Sequence, residues 1–512
     1  MSEIIIFFTN QLHLECSCAP DRRSSDARAT NISPIADTME FLRAPITILR
    51  FIPKASRHAV GTLLRDIINH ILASPCSESS WNSLFLFGKL ILVKPKRGGA
   101  RRNLTSVIKN RVRLFPDSYD VELPKASSRK ARAYSDERAA ALASERLNEG
   151  DVKGAIRILP SDNSMAEITS EVCDQLREKH PVSGAPVNVP HAQATHLTAC
   201  PEGIRQAIQT FPCGSAGGFD GLRPQHLKDL MSCSTVNVTL CNAITAFADL
   251  AFSGGILQFV QPLFFGAKLI ALNKRDGGIR PIAIGNTLRR LFGKFAAATL
   301  SKEAATILSP LQMGCGVPLG AEAIVHSART FLENTRDGYV MVKLDFRNAF
   351  NSLDRSHMVS VMASYFPRLV PFITSAYQHP SKLLFGDFVI TSECCVQQGD
   401  PLGPLIFCMA IHHIMRQLHS DYKVAYLDDI TIAGDSESSA ADINTVEREA
   451  CAVGLHLNRQ KCEILSYNKH SAEQFRRNMP EMKRMCESQF QLLGSSISTE
   501  AVPILLKEKM RL

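Results

Sequence analysis

Much of what defines other protein classes is missing from this sequence. No stretch approaches the ~18 consecutive apolar residues that a membrane-crossing helix needs. The apolar run IIIFF at residues 4–8 is too short for a signal peptide. Paired CxxC motifs at zinc-binding spacing are also absent. The 15 cysteines are scattered, with only Cys16/Cys18 and Cys394/Cys395 close together, and a reducing compartment is the simplest reading. Neither sign of charge dominates: 58 Lys and Arg against 49 Asp and Glu leave a net charge of +9. That excess suits an anionic partner without identifying one. The remaining expectation is a soluble, intracellular protein that does not engage a membrane. Its 512 residues and 45% hydrophobic content suffice for about three domains and more than one core.

The chain divides by composition. Residues 1–40 mix Ser, Asp, Arg and Cys without periodicity and are expected to be disordered. Residues 41–134 are expected to form a small helical and basic segment. Leu63, Leu64, Ile67, Ile68 and Ile71 recur at helical spacing. Lys94, Lys96, Arg97, Arg101, Arg102, Lys109, Arg111 and Arg113 crowd together after them. The cluster has three open readings: a phosphate contact, a nuclear-import signal or a solvated linker. Residues 135–200 read as a helical linker region. SDERAAALASERLNEGDVKGAIRIL predicts two short helices broken at Gly150 and Gly154, and Pro181, Pro186 and Pro190 mark a linker.

From residue 201 the patterning sharpens. GGFDGLRPQHLKDL predicts a turn at Gly217–Gly221 and then a helix. AKLIALN and IRPIAI predict two strands joined into a hairpin, with Lys274 and Arg280 on either side of its tip. A charged, solvated hairpin would look the same. GYVMVKLDF predicts a buried central strand ending in Asp345, with a helix opening between Asn351 and Asp354. KVAYLDDITIAGD predicts two short strands with Asp428 and Asp429 at the tight turn between them. A single Asp at a strand end is ordinarily a turn or cap residue, but acids at the ends of two separate strands weaken that account. Carboxylates brought together raise one another's pKa unless a cation screens them. Magnesium does this with one or two carboxylates plus substrate phosphates, and a pair of such ions serves in-line displacement at phosphorus. The pattern points to phosphoryl or nucleotidyl transfer.

Taken in order, RPIAIG, Asp345 in KLDFRNAF, Gln398-Gly399 in VQQGDPLGPLIF, the YLDD box, GLHLNRQKCEIL and FQLLGSSI resemble reverse transcriptases, most of all those of non-LTR (LINE-type) retrotransposons. The resemblance runs from about Gly217 to Gly494. A lone DD is weak, whereas the ordered set is specific. It implies an α+β fold of right-hand polymerase fingers and palm over residues 201–494, the palm an antiparallel sheet with packed helices, preceded by a mostly helical or disordered N-terminal region. It implies that Asp345, Asp428 and Asp429 are catalytic and bind metal together with Phe346, the metal being two Mg²⁺ ions, with Mn²⁺ as a substitute. Lys274, Arg280, Phe350, Gln398, Gly399 and Lys461 are implied at the nucleotide, Arg280 gripping the triphosphate bidentately. Phe350 would leave no room for a 2′-hydroxyl, and Leu493 and Gly494 would form the primer grip. Gly454 and Asn458 match the motif that carries Lys461. Residue by residue, plainer readings stand beside these: Phe350 as core, Lys461 as a surface lysine, and QGDPLGP as a loop before a helix that Pro401 and Pro404 open.

The implied activity is an RNA-directed DNA polymerase acting in the nucleus on an RNA template, a DNA primer or nicked target DNA, and deoxynucleoside triphosphates. Two departures qualify the resemblance. Residues 495–512 are expected to hold only the start of a truncated thumb, and no endonuclease or RNase H segment is recognisable, as in a fragment or degenerate copy. Two other functions compete. An RNA-dependent RNA polymerase typically shows Gly before the DD and a second Asp five residues after the first, where this chain has Leu427 and Phe350. A domesticated or inactive relic would keep the palm as a nucleic-acid platform.

Overall fold

The computed structural model describes residues 35–95, 103–115, 165–190, 195–274, 277–334, 338–466 and 479–511, with the single positions 140, 143, 144, 473 and 475. Residues 1–34, nearly all of the helix pair expected after residue 135, and Lys96, Arg97, Arg101 and Arg102 lie outside the described residues.

Four helices come first: α1 (Ile35–Arg43), α2 (Arg57–Ala73), α3 (Glu78–Ile91) and α4 (Leu104–Leu114). The helical spacing read from sequence becomes the buried face of α2, where Leu64, Ile67, Ile68 and Ile71 point inward. Ser77 caps α3 by accepting from the Ser80 N–H, and fully buried Trp81 in α3 packs its ring against Phe85, Phe247 and Phe264. These helices therefore share one core with the C-terminal region. Polar ties reinforce the join, since Asp229 accepts from the Ile52 N–H at 2.7 Å and pairs with Arg57 at 3.1 Å. Part of the basic cluster is also structural: Arg111 donates to the Ile91 carbonyl at the end of α3 and to the Val93 carbonyl just past it.

Helices α5 (Ser170–Glu178), α6 (Pro201–Gln209), α7 (Pro224–Met231) and α8 (Asn237–Phe252) lead to the hairpin β1 (Ala267–Asn273) and β2 (Ile279–Gly285), then to α9 (Thr287–Leu308) and α10 (Gly320–Glu333). Next come β3 (Tyr339–Leu344), α11 (Arg355–Tyr365), α12 (Val370–Tyr377), β4 (Ser381–Phe385), β5 (Phe388–Ser392) and α13 (Gly403–Gln417). The chain continues through β6 (Tyr422–Tyr426), β7 (Asp429–Asp435), α14 (Ser436–Ala452), β8 (Glu463–Ser466), β9 (Lys483–Met485), β10 (Gln491–Leu492), β11 (Ser495–Ser496) and α15 (Val502–Arg511).

Two sheets organise these elements. One has the order β2-β1-β4-β5, the β1/β4 pair being parallel. The other has the order β6-β7-β3-β8-β9 and is antiparallel except at β8/β9. β3 sits at its centre with Val340, Met341, Val342 and Leu344 buried, as a strand covered on both faces must. Helix α11 opens where expected, capped by Asp354, which accepts from the His357 N–H at 2.7 Å. β10 and β11 form a separate hairpin turning at Leu493 (φ +50°) and Gly494 (φ +79°), the left-handed pair that a two-residue turn of type I′ requires. Among the described residues no helix is long and apolar enough to cross a membrane.

Candidate active site

β3 pairs with β7 in a register that sets Leu344 opposite Ile430. Asp345 follows the first and Asp429 precedes the second, so this register carries both to the same end of the sheet. The β6–β7 hairpin closes on Tyr426 opposite Asp429, leaving Leu427 and Asp428 as the turn. Three carboxylates from two distant segments thus converge at one end of the sheet.

Their ionisation carries the mark of this crowding. Burial raises the pKa of Asp345, opposed by Lys461, a hydrogen bond from the Asn458 side chain, Lys343 and Lys274. Burial also raises Asp428; its own backbone N–H opposes, the charge of Asp345 adds to the rise, and Arg280 opposes. Asp429 is pushed up to about 6 by burial and then by Asp428, with Lys343 opposing and Asp345 adding. Its side chain still opens to solvent. Water therefore weakens both the burial and the charge repulsion that raise it. Among the described residues no group of three or more His, Cys, Asp or Glu side chains is placed to hold a metal ion by itself. The donors are hard carboxylate oxygens in an open cluster, which fits a cation that completes its shell with water and phosphate.

The loop behind Asp345 is stitched to the segment after α14. The Asn458 N–H donates to the Asp345 carbonyl at 2.7 Å, the Arg347 N–H donates to the His456 carbonyl at 2.8 Å, and buried Phe346 bridges to Leu457. Gly454 (φ +83°) lies so close to the Ser352 carbonyl that a Cβ would come within 2.7 Å of it. On the other side, the Ala283 N–H of β2 donates to the Gln398 carbonyl at 2.8 Å. At Gly399 (φ +124°) a Cβ would stand 2.3 Å from the Ala283 oxygen, so only glycine lets this loop rest on the hairpin. Behind that contact lies a buried polar network. Arg289 donates to Asp400 (2.7 Å), to the Tyr377 hydroxyl (3.1 Å) and to Gln397 Oε1 (2.6 Å), and Gln397 Nε2 donates to the Phe265 carbonyl and Ser381 Oγ.

Residues 272–497 match the family described as reverse transcriptase (RNA-dependent DNA polymerase). Over those residues the chain is similar to a reverse transcriptase domain. Over 263 residues it is 27% identical to the retrotransposable element SLACS 132 kDa protein of Trypanosoma brucei gambiense, an alignment covering 49% of this chain and 22% of that protein. Over 326 residues it is 23% identical to the retrovirus-related Pol polyprotein from type-2 retrotransposable element R2DM of Drosophila melanogaster, covering 60% of this chain and 30% of that one. The chain thus spans less than a third of either relative. Among solved structures, apo telomerase from Candida tropicalis aligns with a TM-score of 0.35 and 11% identity, over 46% of this chain and 47% of that one. That likeness is too slight to bear on function. The expected resemblance to reverse transcriptases is borne out over residues 272–497, and the relatives are retrotransposon proteins.

Within residues 272–497, the expected site residues fall into four groups. Asp345, Asp428 and Asp429 meet, with the charges of Lys274, Arg280 and Lys461 acting on them. Gln398 and Gly399 dock on the hairpin through the backbone. Leu493 and Gly494 line a cavity of about 220 Å³ together with Lys343, Tyr426 and Asp429. Phe350 is half-buried and stacked on Phe407, ring centroids 4.6 Å apart. Sequence reasoning missed Lys343, which donates to Glu463 at 2.9 Å and is two residues before Asp345 on the same strand face, a position that alternation alone reveals. It also missed Gln312, Arg289, Gln397 and Asp400, whose partners lie far off along the chain.

Proposed function

We propose that this chain is an RNA-directed DNA polymerase of a non-LTR retrotransposon, adding deoxynucleotides to a primer 3′ end. The observation that carries the reading is the convergence of Asp345, Asp428 and Asp429 from two separate segments, with cationic side chains around them. Asp345 and Asp428 would hold the divalent metal, with Asp429 alongside and Phe346 lending its main chain. Bound there, two Mg²⁺ ions, with Mn²⁺ as substitute, would supply Lewis acidity to the attacking hydroxyl and the leaving oxygen. Arg280 and Lys274 receive the triphosphate from the hairpin side and Lys461 from the palm side, Arg280 through its planar fork. Gln398 and Gly399 border the nucleotide, and Phe350, braced on Phe407, crowds the space beside its sugar. The Leu493-Gly494 turn supports the primer end across the cavity from Asp429.

In this reading the template is RNA, the primer is DNA or nicked target DNA, the substrates are deoxynucleoside triphosphates, and the place of action is the nucleus. Residues 201–494 act as fingers and palm, and residues 495–512, with α15, begin a thumb. Primer extension on an RNA template with Mg²⁺ tests it: the purified chain is expected to extend, and the Asp428→Asn variant is not. Absence of extension by the wild-type chain under conditions where it binds template would overturn the proposal.

A further inference from the structure

Gln312 lies in the link between α9 and α10, yet its fully buried side chain reaches the YLDD turn. Its Nε2 donates to the Leu427 carbonyl at 3.0 Å. Its Oε1 accepts from the Leu427 N–H at 2.9 Å and from the Gly314 N–H at 3.0 Å. One amide therefore closes on both backbone groups of the first turn residue, as a neighbouring strand would. The partners fix which way the amide faces, because the reverse orientation would set donor against donor and acceptor against acceptor.

The link itself is held firmly. The Gln312 N–H donates to the Leu308 carbonyl at the end of α9, the Met313 N–H to the Ala425 carbonyl, and the Ala425 N–H to the Leu311 carbonyl. Gly314 closes the remaining side, where a Cβ would lie 2.5 Å from the Leu427 nitrogen. Leu427 itself has φ +58°. Leucine enters that left-handed region only against a steric penalty, and such a conformation persists where the surroundings over-determine it. Asp428 is the next residue, so the orientation of its carboxylate follows from this peptide.

We propose that Gln312 is a positioning residue for the catalytic turn: it holds Leu427 in the left-handed conformation and so aims Asp428 at Asp345. The proposal rests on the reading of those two aspartates as the metal-binding pair. The competing account is that Gln312 only satisfies buried backbone groups. The two differ in the rate per correctly folded site, since displacing a reacting group by about 1 Å costs on the order of 10²-fold.

Two variants of the full chain decide between them. Gln312→Leu keeps bulk and removes the three side-chain bonds, while Gly314→Ala pushes on the same peptide with Gln312 intact. Single-turnover extension of a DNA primer on RNA with Mg²⁺ is measured per active site from the burst amplitude. Deuterium uptake by the peptide spanning Leu427 is measured in the metal-free protein. Both variants are expected to lose roughly 10- to 100-fold in rate per active site, with the KM for nucleotide little changed because no binding group is removed. Uptake at Leu427 is expected to quicken roughly fivefold or more, as one backbone hydrogen bond is lost or strained. A wild-type rate per active site in Gln312→Leu, or unchanged uptake at Leu427, overturns the proposal. Should Gln312→Leu not fold, Gly314→Ala carries the same two outcomes. If the wild-type chain extends no primer, the functional reading fails and hydrogen exchange alone decides the clamp: faster exchange supports it and unchanged exchange overturns it.

Discussion

Asp400 and Asp428 sit in the same domain with opposite surroundings. Asp400 is buried against Arg289 at 2.7 Å, with the Tyr377 hydroxyl donating to the same carboxylate oxygen. Asp428 stands at an open turn whose nearest charged company is two more carboxylates, countered by Arg280. A buried charge without a partner destabilises a fold by several kcal/mol, so the protein surrounds Asp400 with donors. The cluster at Asp428 is left in mutual repulsion, an arrangement that folding does not need and that a bound cation relieves. One carboxylate belongs to the architecture, and the other has the surroundings that the proposed metal role requires.

That contrast yields tests in descending order of effect. Asp428→Asn should cut extension on the order of 10³-fold, at the upper end of what single electrostatic stabilisers contribute. Template binding should hold, and the metal-free melting temperature should stay level or rise, because a like charge has gone. A fall in melting temperature matching the lost activity would place Asp428 with Asp400 as structural. Asp400→Asn should do the reverse, costing about 3 kcal/mol in denaturant unfolding. That is the lower end for a broken buried pair, because Gln397 and Phe265 still accept from Arg289. Its extension rate per folded molecule should survive, and a stable but dead variant would break the comparison.

Phe350 sharpens the line between the two kinds of residue, since it packs on Phe407 and is only half-buried. Phe350→Val should raise ribonucleotide use relative to deoxyribonucleotide roughly tenfold or more, if a clash of ~1–3 kcal/mol is relieved. Equal loss of both, with a lower melting temperature, would make it packing. The smallest effect concerns Asp429. Its folded pKa of about 6 lies above the ordinary carboxylate value, so the folded chain holds this proton to higher pH than the unfolded one. The stability it contributes is therefore greatest in acid and is lost as pH rises through about 6. Asp345 and Asp428 shift in the same direction. Added Mg²⁺ should flatten this slope between about pH 4 and pH 7, read from melting temperatures. A slope that Mg²⁺ leaves unchanged would argue against metal at the cluster.

Local pattern made part of this legible in advance. The β1–β2 hairpin, the strand ending in Asp345 and the YLDD turn follow from alternation and turn chemistry, which act within a few residues. The carboxylates could be paired because the ends of two strands of one sheet must meet somewhere. Gln312 could not be read in this way, since its partner Leu427 is 115 residues away and glutamine in a link has no periodic signature. The Arg289–Asp400 pair, 111 residues apart, hides for the same reason. The face of α2 announced that it would be buried, but periodicity says nothing about what covers it. The shared core with α8 and α3 emerged only from the three-dimensional packing.

The sheet that carries the β1–β2 hairpin has a further consequence, for synthesis on the ribosome. β1 is made early, but its parallel neighbour β4 is made only after α9, α10, β3, α11 and α12, when Leu383 reaches Ala267. At ~5–20 residues per second that wait is on the order of ten seconds. During it, the inner edge of β1 stands uncovered beside Leu269 and Ala271, both destined for burial. The nascent chain thus exposes an adhesive strand for that interval, and slowing translation between β2 and β4 should increase aggregation of the newborn protein without altering the stability of the finished one.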